Sequence, residues 1–182
     1  MIAKLKTLYW FAIRPTFYWH GLELFLRKFR VNYDSPDHVY KATKWAKHNT
    51  VSVEKALHTV GLIEEGVDIP QIDKQLIDEA NLLAQKSQVK MGGAGDMELI
   101  YAATHLSKAN IVIETGVAYG WSSLCILAAF NNNCSPLLVS IDMPYPKMNN
   151  EDFVGIVIPS FLKEKWHLIR QPDRKGIISG IR

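Results

Sequence analysis

The run Glu114-Thr115-Gly116-Val117-Ala118-Tyr119-Gly120-Trp121-Ser122-Ser123 gathers chemistry-bearing residues at what reads as a strand-to-helix turn. The β-branched segment Ile111-Val112-Ile113 ends in the Glu114 carboxylate, passes two glycines and enters a helix. Gly116 suits the tight turn, while Ala118 and Gly120 let the backbone come close to a ligand. The helix start offers unpaired N–H groups, supplemented by the Ser122 and Ser123 hydroxyls. Asp142 follows Glu114 by 28 residues, at the end of the next apolar run. In a parallel sheet it would face the same crevice and accept both hydroxyls of a ribose. A dinucleotide turn carries G-x-G-x-x-G against the pyrophosphate, whereas this one reads G-x-A-x-G after an acid. A carboxylate there repels pyrophosphate and attracts an ammonium group. The pattern therefore favours a nucleoside bearing an amino-acid tail, with a nicotinamide-dependent oxidoreductase as the weaker alternative.

The elements that must position these residues can be read along the chain. Ile111–Glu114, Leu137–Asp142 and Trp166–Arg170 read as strands, separated by a helix over 121–130 and by a helix over 152–165 interrupted near Pro159. This β-α-β-α-β order, with largely apolar strands, predicts a parallel sheet covered on both faces: an α/β, Rossmann-like arrangement of three recognisable strands. Upstream, Ser35-Pro36-Asp37 starts a helix that runs to His48-Asn49, and Ser52 caps a short one stopped at Gly61. A third helix follows Pro70, with Ile72, Leu76, Ile77, Ala80, Leu83 and Ala84 on one face. Asp96 caps a fourth over 97–107, after the loop Met91-Gly92-Gly93-Ala94-Gly95. The expected division is a helical segment over 1–30, a helical region over 31–90 and the sheet-bearing domain over 91–182.

Composition bounds the function. In 182 residues, 48% hydrophobic and 21% charged with only 19 Gly plus Pro, there is ample apolar material for a core. Two cysteines, Cys125 and Cys134, make no zinc site by themselves and read as ordinary reduced thiols. His20, His38, His48, His58, His105 and His167 lack ligand spacing, so no metal is expected, and no Ser-His-Asp or P-loop arrangement is present. Net charge is +3, yet residues 1–30 carry +5 and the remainder −2, so a nucleic-acid partner is not expected for the main body. The same thirty residues hold eight of the 19 aromatics.

That N-terminal segment is too interrupted to cross a bilayer. Its apolar run Leu8–Ile13 ends at Arg14-Pro15, against the ~20 residues a span needs, and no cleavage site follows it. Residues 16–30 show helical periodicity, with Tyr18, Leu22, Phe25, Leu26 and Phe29 on one stripe. Two readings stay open: a helix packed on the domain or on a second copy, and a basic aromatic helix lying in a membrane interface. The expected location is cytoplasmic, with peripheral contact at the inner face of the membrane under the second reading.

Three stretches together resemble class I S-adenosylmethionine-dependent methyltransferases. They are Gly92-Gly93-Ala94-Gly95-Asp96 through Leu106, Ile113-Glu114-Thr115-Gly116-Val117-Ala118-Tyr119-Gly120, and Ser140-Ile141-Asp142-Met143-Pro144. The likeness is to a bacterial branch with an E-T-G-V-A-x-G turn, and it continues through Val154-Gly155 to Pro159 and Leu162-Lys163 to Leu168. It implies that Glu114, Gly116, Ala118 and Gly120 hold the methionine part of the cofactor, with Tyr119, Ser122 and Ser123 as neighbours. It further implies that Asp142 holds the ribose, that Asp173 in Gln171-Pro172-Asp173-Arg174 meets the adenine, and that the loop at Gly92 and Gly93 lies near the cofactor. The implied activity is methyl transfer to a small-molecule or glycan acceptor, O-methylation favoured, with no catalytic base identifiable. The alternative is an inactive cofactor-binding or membrane-associated module. Only 12 residues follow Arg170, whereas another β-α unit needs roughly 30. With strand order 3-2-1 the first strand keeps an open edge, so the expectation is a chain holding the cofactor-binding half alone. The rival expectation is an edge covered by a second copy or an N-terminal element.

Overall fold

The computed structural model describes residues 2–29, 35–130, 135–144 and 151–181. Cys134 and most of the polar loop 131–136 lie outside the described residues, as do Met1, Arg30–Asp34 and Tyr145–Asn150. The chain divides into two compact units, Met1–Ala56 and Leu57–Arg182.

In the first unit, α1 (Ile2–Ala12) and α2 (Tyr18–Leu26) flank a 3-10 turn, Pro15–Phe17, and a second such turn covers Arg27–Phe29. Pro15 fixes that turn. Phe17 is the buried residue, edge-on to Trp10 at 5.2 Å, and Trp10 in turn meets Phe11 at 5.1 Å. Gly21 lets α2 approach Phe11, because a Cβ there would sit 3.1 Å from its ring. α3 (Pro36–Asn49) begins at the expected cap, Ser35 Oγ accepting from the His38 N–H, with Pro36 in its first turn. α4 (Val53–Thr59), whose last three residues belong to the second unit, is likewise capped by Ser52, through the Lys55 N–H at 3.2 Å.

The second unit carries the sheet. α5 (Lys74–Ala84) starts at Asp73, three residues past Pro70, because the Asp73 carboxylate caps the Gln75 N–H at 2.9 Å. α6 (Met97–Ser107) is capped by Asp96 through Leu99 N–H at 3.1 Å. β1 (Ile111–Thr115), β2 (Leu137–Ile141) and β3 (Trp166–Ile169) form one parallel sheet in the order β1-β2-β3. α7 (Trp121–Ala129) connects the first two strands, and α8 (Asp173–Ile181) follows the third. The result is an open α/β sheet of Rossmann-like type.

Alternation along the strands assigns the faces. Leu138 joins Leu124 and Leu127 in the core beneath α7, which buries seven of its nine residues. Val139 and Ile141 point the other way and meet α8, whose Gly176 would place a Cβ 2.3 Å from Ile141 Cγ2. β2 is thus covered on both faces. Among the described residues β1 pairs on one side only, and Ile111 and Ile113 stay exposed.

One expectation for this region is corrected. Residues 152–165 form no α-helix; they make 3-10 turns at Glu151–Phe153 and Ser160–Lys165, joined by a bend around Gly155 and Pro159. Pro159, lacking an N–H, cannot continue a helix into Ser160. The residues after Arg170, to which the sequence assigned no element, form α8, with Pro172 immediately before it and its carbonyl accepting from Gly176 N–H.

Candidate functional site

The turn between β1 and α7 is held from both sides by backbone. Gly116 N–H donates to Ile141 O at 2.8 Å, which ties the turn to β2. On the other side Gly155 N–H donates to Ala118 O and Val157 N–H to Tyr119 O, which ties it to the 151–158 bend. Gly116, Ala118 and Gly120 all take positive φ, at 79°, 50° and 92°. The two glycines need that freedom for different neighbours. A Cβ on Gly116 would meet nothing within 4 Å, so its face is open space. A Cβ on Gly120 would lie 2.9 Å from Gly155 Cα and 3.1 Å from Ile158. The close approach expected of Gly120 is therefore that of the 151–158 bend, not of a ligand.

Asp142 sits one residue past β2 with its carboxylate half-buried. Oδ1 accepts from Val117 N–H at 3.1 Å and Oδ2 pairs with Arg170 Nη1, from the end of β3. Arg170 Nη2 is buried and has no partner among the described residues. The arginine was missed in the sequence because only the β2–β3 pairing brings it opposite Asp142; a basic residue closing an apolar strand was the available signal.

Glu114 is placed differently. Its carboxylate accepts hydroxyl protons from Ser122 (2.9 Å), Ser123 and Ser140 (2.6 Å), and Trp166 Nε1 donates to Ser140 Oγ at 2.7 Å. The pairing Glu114↔Ser140 puts both on the α7 face of the sheet, facing the first turn of that helix. Among the described residues no cation pairs with Glu114. Burial, and to a lesser degree the Glu114 charge, pushes the nearby Cys125 thiol up to about 12, so that thiol stays protonated at neutral pH.

A cleft of about 550 Å³ opens at the carboxyl ends of β1 and β2, within the ~300–1,000 Å³ usual for small-ligand sites. Its floor is Gly116, Val117, Ala118, Ser122, Asp142 and Met143, and its opposite wall is Lys90, Met91, Gly92, Gly93 and Gly95. Gly116, Ala118, Ser122 and Asp142 are thus brought together. Glu114, Tyr119, Gly120, Ser123 and Asp173 are not among the lining residues: Ser123 is fully buried and Asp173 is exposed at the start of α8. Lys90 was not singled out in the sequence, since nothing in its spacing marks it. A second hollow of about 390 Å³, lined by Ile72, Leu76, Tyr101, Leu127 and Phe161 among others, holds neither strand-end acid.

Tyr119 supports the far wall. Its hydroxyl donates to Val89 O at 2.8 Å and accepts from Met91 N–H at 3.1 Å, pinning the start of the glycine loop to the turn. Tyr119→Phe deletes both bonds and should cost about 1 kcal/mol. It should also speed hydrogen exchange of the amides of Met91–Gly95; unchanged exchange there would remove this role.

No protein-family model and no curated protein matches the chain. Solved structures with a similar course include an O-methyltransferase from Bacillus cereus in complex with SAH (9% identity, TM-score 0.45) and an SAH-bound methyltransferase from Podospora anserina (9%, 0.45). The matches cover 70% and 82% of this chain and 53% and 56% of those chains respectively. A cofactor-bound protein from MTB is similar at 10% identity and TM-score 0.45, over 72% of this chain and 56% of its own. The chain thus spans little more than half the length of the structures it resembles.

Proposed function

We propose that the cleft binds S-adenosylmethionine and that the protein is a methyltransferase acting on an oxygen of a small-molecule or glycan acceptor. The observation that carries the reading is Asp142, fixed at the carboxyl end of β2 and lining the same cleft as the open face of Gly116. An ionised carboxylate has about four lone-pair sites. Val117 N–H and Arg170 use two of those on Asp142, which leaves acceptor capacity for a ribose diol. Arg170 holds the carboxylate in one orientation, so the diol meets a preset acceptor.

The amino-acid tail of the cofactor is zwitterionic and fits the remaining lining. Ser122 donates its proton to Glu114, so its oxygen is left as an acceptor for an ammonium group. Glu114 thereby acts through Ser122 and through its charge, rather than by direct contact. Lys90 and the free N–H groups at the start of α7 suit the carboxylate. When bound, the cofactor supplies an electrophilic methyl on sulfonium sulfur, and the protein's share is to hold it in line with the acceptor.

Calorimetry with S-adenosylhomocysteine tests the reading. Binding is expected, with no comparable heat from NAD or NADP. Asp142→Asn, which keeps an oxygen for Val117 N–H but removes the charge, should weaken it by about tenfold or more. Tight NADP binding without S-adenosylhomocysteine binding would replace this reading with a nicotinamide-dependent one.

A further inference from the structure

The apolar stripe Tyr18, Leu22, Phe25, Leu26 and Phe29, which periodicity alone would give to a packing face, is exposed. Each residue has between 44% and 77% of its surface in solvent. The ring packing between α1 and α2 uses Trp10, Phe11, Phe17 and Gly21, and from the stripe Tyr18 donates its hydroxyl to Ala12 O at 2.7 Å. α1 adds Leu5, Leu8 and Tyr9 to the exposed apolar surface, and Trp19 stands beside the stripe on α2. So many exposed apolar residues on one short segment mark an interaction site.

Charge decides what it meets. The first thirty residues carry Lys4, Lys6, Arg14, Arg27, Lys28 and Arg30 against Glu23. A second copy docked through the same surface would bring two segments of +5 together, a juxtaposition that disfavours an isologous dimer. A negatively charged surface meets it favourably. Tyr9, Tyr18 and Trp19 are residue types that settle at the headgroup level, with rings toward the acyl chains and polar tips in water. Arg14 stacks on the Trp10 ring at 4.4 Å, so its stem follows apolar surface while the charge stays near water. α1 and α2 span 11 and nine residues, and among the described residues no helix is long and apolar enough to cross a membrane. The segment can lie on a bilayer but not through it.

We propose that α1, α2 and the Arg27–Phe29 turn form a peripheral anchor that seats its aromatic stripe in the headgroup region of an anionic lipid bilayer. Basic side chains supply the long-range attraction and the exposed rings the short-range insertion. The anchor is independent of the cofactor reading, since none of its residues lines the cleft.

The test is co-sedimentation of the full chain with vesicles of phosphatidylcholine and phosphatidylserine in a two-to-one ratio, beside phosphatidylcholine alone. Partition onto the mixed vesicles should be about tenfold stronger at low salt and fall steeply near 0.5 M salt, where screening shortens to about 4 Å. Phe25→Ser with Phe29→Ser should reduce it by about tenfold, with circular dichroism unchanged because both rings are exposed. Arg27→Glu should act in the same direction. Equal partition onto the two vesicle types would overturn the proposal, and so would no partition onto either. A dimer in sedimentation equilibrium that the double phenylalanine variant disperses, without vesicle binding, would overturn it in favour of self-association.

Discussion

Replacing Asp142 with alanine is expected to abolish S-adenosylhomocysteine binding and to lower stability by about 3 kcal/mol. The two effects have separate origins. Binding fails because the change removes the one acid among the described residues that line the cleft. Stability falls because Arg170 already has one buried nitrogen without a partner among the described residues, and the change strips the partner from the other. Val117 N–H loses its acceptor as well, which loosens the turn. Both side chains keep some exposure, so the lower end of the range for a broken buried pair applies. Urea unfolding and calorimetry read the two effects independently. An alanine variant as stable as the parent would contradict the structural role of the pair. One that still bound the nucleoside normally would contradict the ribose contact.

Gly120→Ala should cost about 3 kcal/mol, the second large effect. A left-handed backbone costs a non-glycine residue roughly 1–2 kcal/mol, and overpacking adds a similar amount. Here the new methyl would press on Gly155 Cα, which is backbone and cannot swing aside, and on Ile158, a core residue. Gly116→Ala is the internal comparison. Its φ of 79° carries the conformational cost, but the methyl enters open space, so about 1 kcal/mol is expected. The same methyl would narrow the cleft, so Gly116→Ala should lose affinity while staying folded. Equal destabilisation by the two substitutions, measured by thermal unfolding, would contradict the assignment of one glycine to packing and the other to the ligand face.

Local signals in the sequence were reliable where the physics is local. Ser35, Ser52 and Asp96 cap the helices they were expected to cap, because a cap is decided by a hydroxyl or carboxylate three residues from its N–H. The three strands were legible from their apolar, β-branched runs, and the order β1-β2-β3 follows from short parallel crossovers. Residues 152–165 misled because Val154, Val157 and Ile158 mimic helical spacing, whereas their backbone turns to reach Ala118 and Tyr119. Nothing was assigned to the residues after Arg170, where α8 carries Gly176 and Gly180. They are there because α8 lies so close to Ile141 and Val139 that side chains would clash.

The site was legible as a location and less so in its wiring. Glu114 and Asp142 were visible as strand-end acids, but which of them meets the cleft depends on strand alternation and on partners 26 to 28 residues away. Ser140 and Arg170 are those partners, and no spacing rule names them. The stripe on α2 shows the converse limit. Periodicity establishes that a face is apolar, and only the fold shows whether that face is covered.

The central claim is that Asp142 grips a ribose in the cleft beside Gly116. The most direct test is a crystal structure of the protein grown with saturating S-adenosylhomocysteine. The account predicts both ribose hydroxyls within about 3 Å of the Asp142 carboxylate, with the amino-acid tail between Ser122 and Lys90. A ligand bound elsewhere, or a cleft left empty at saturation, would contradict it.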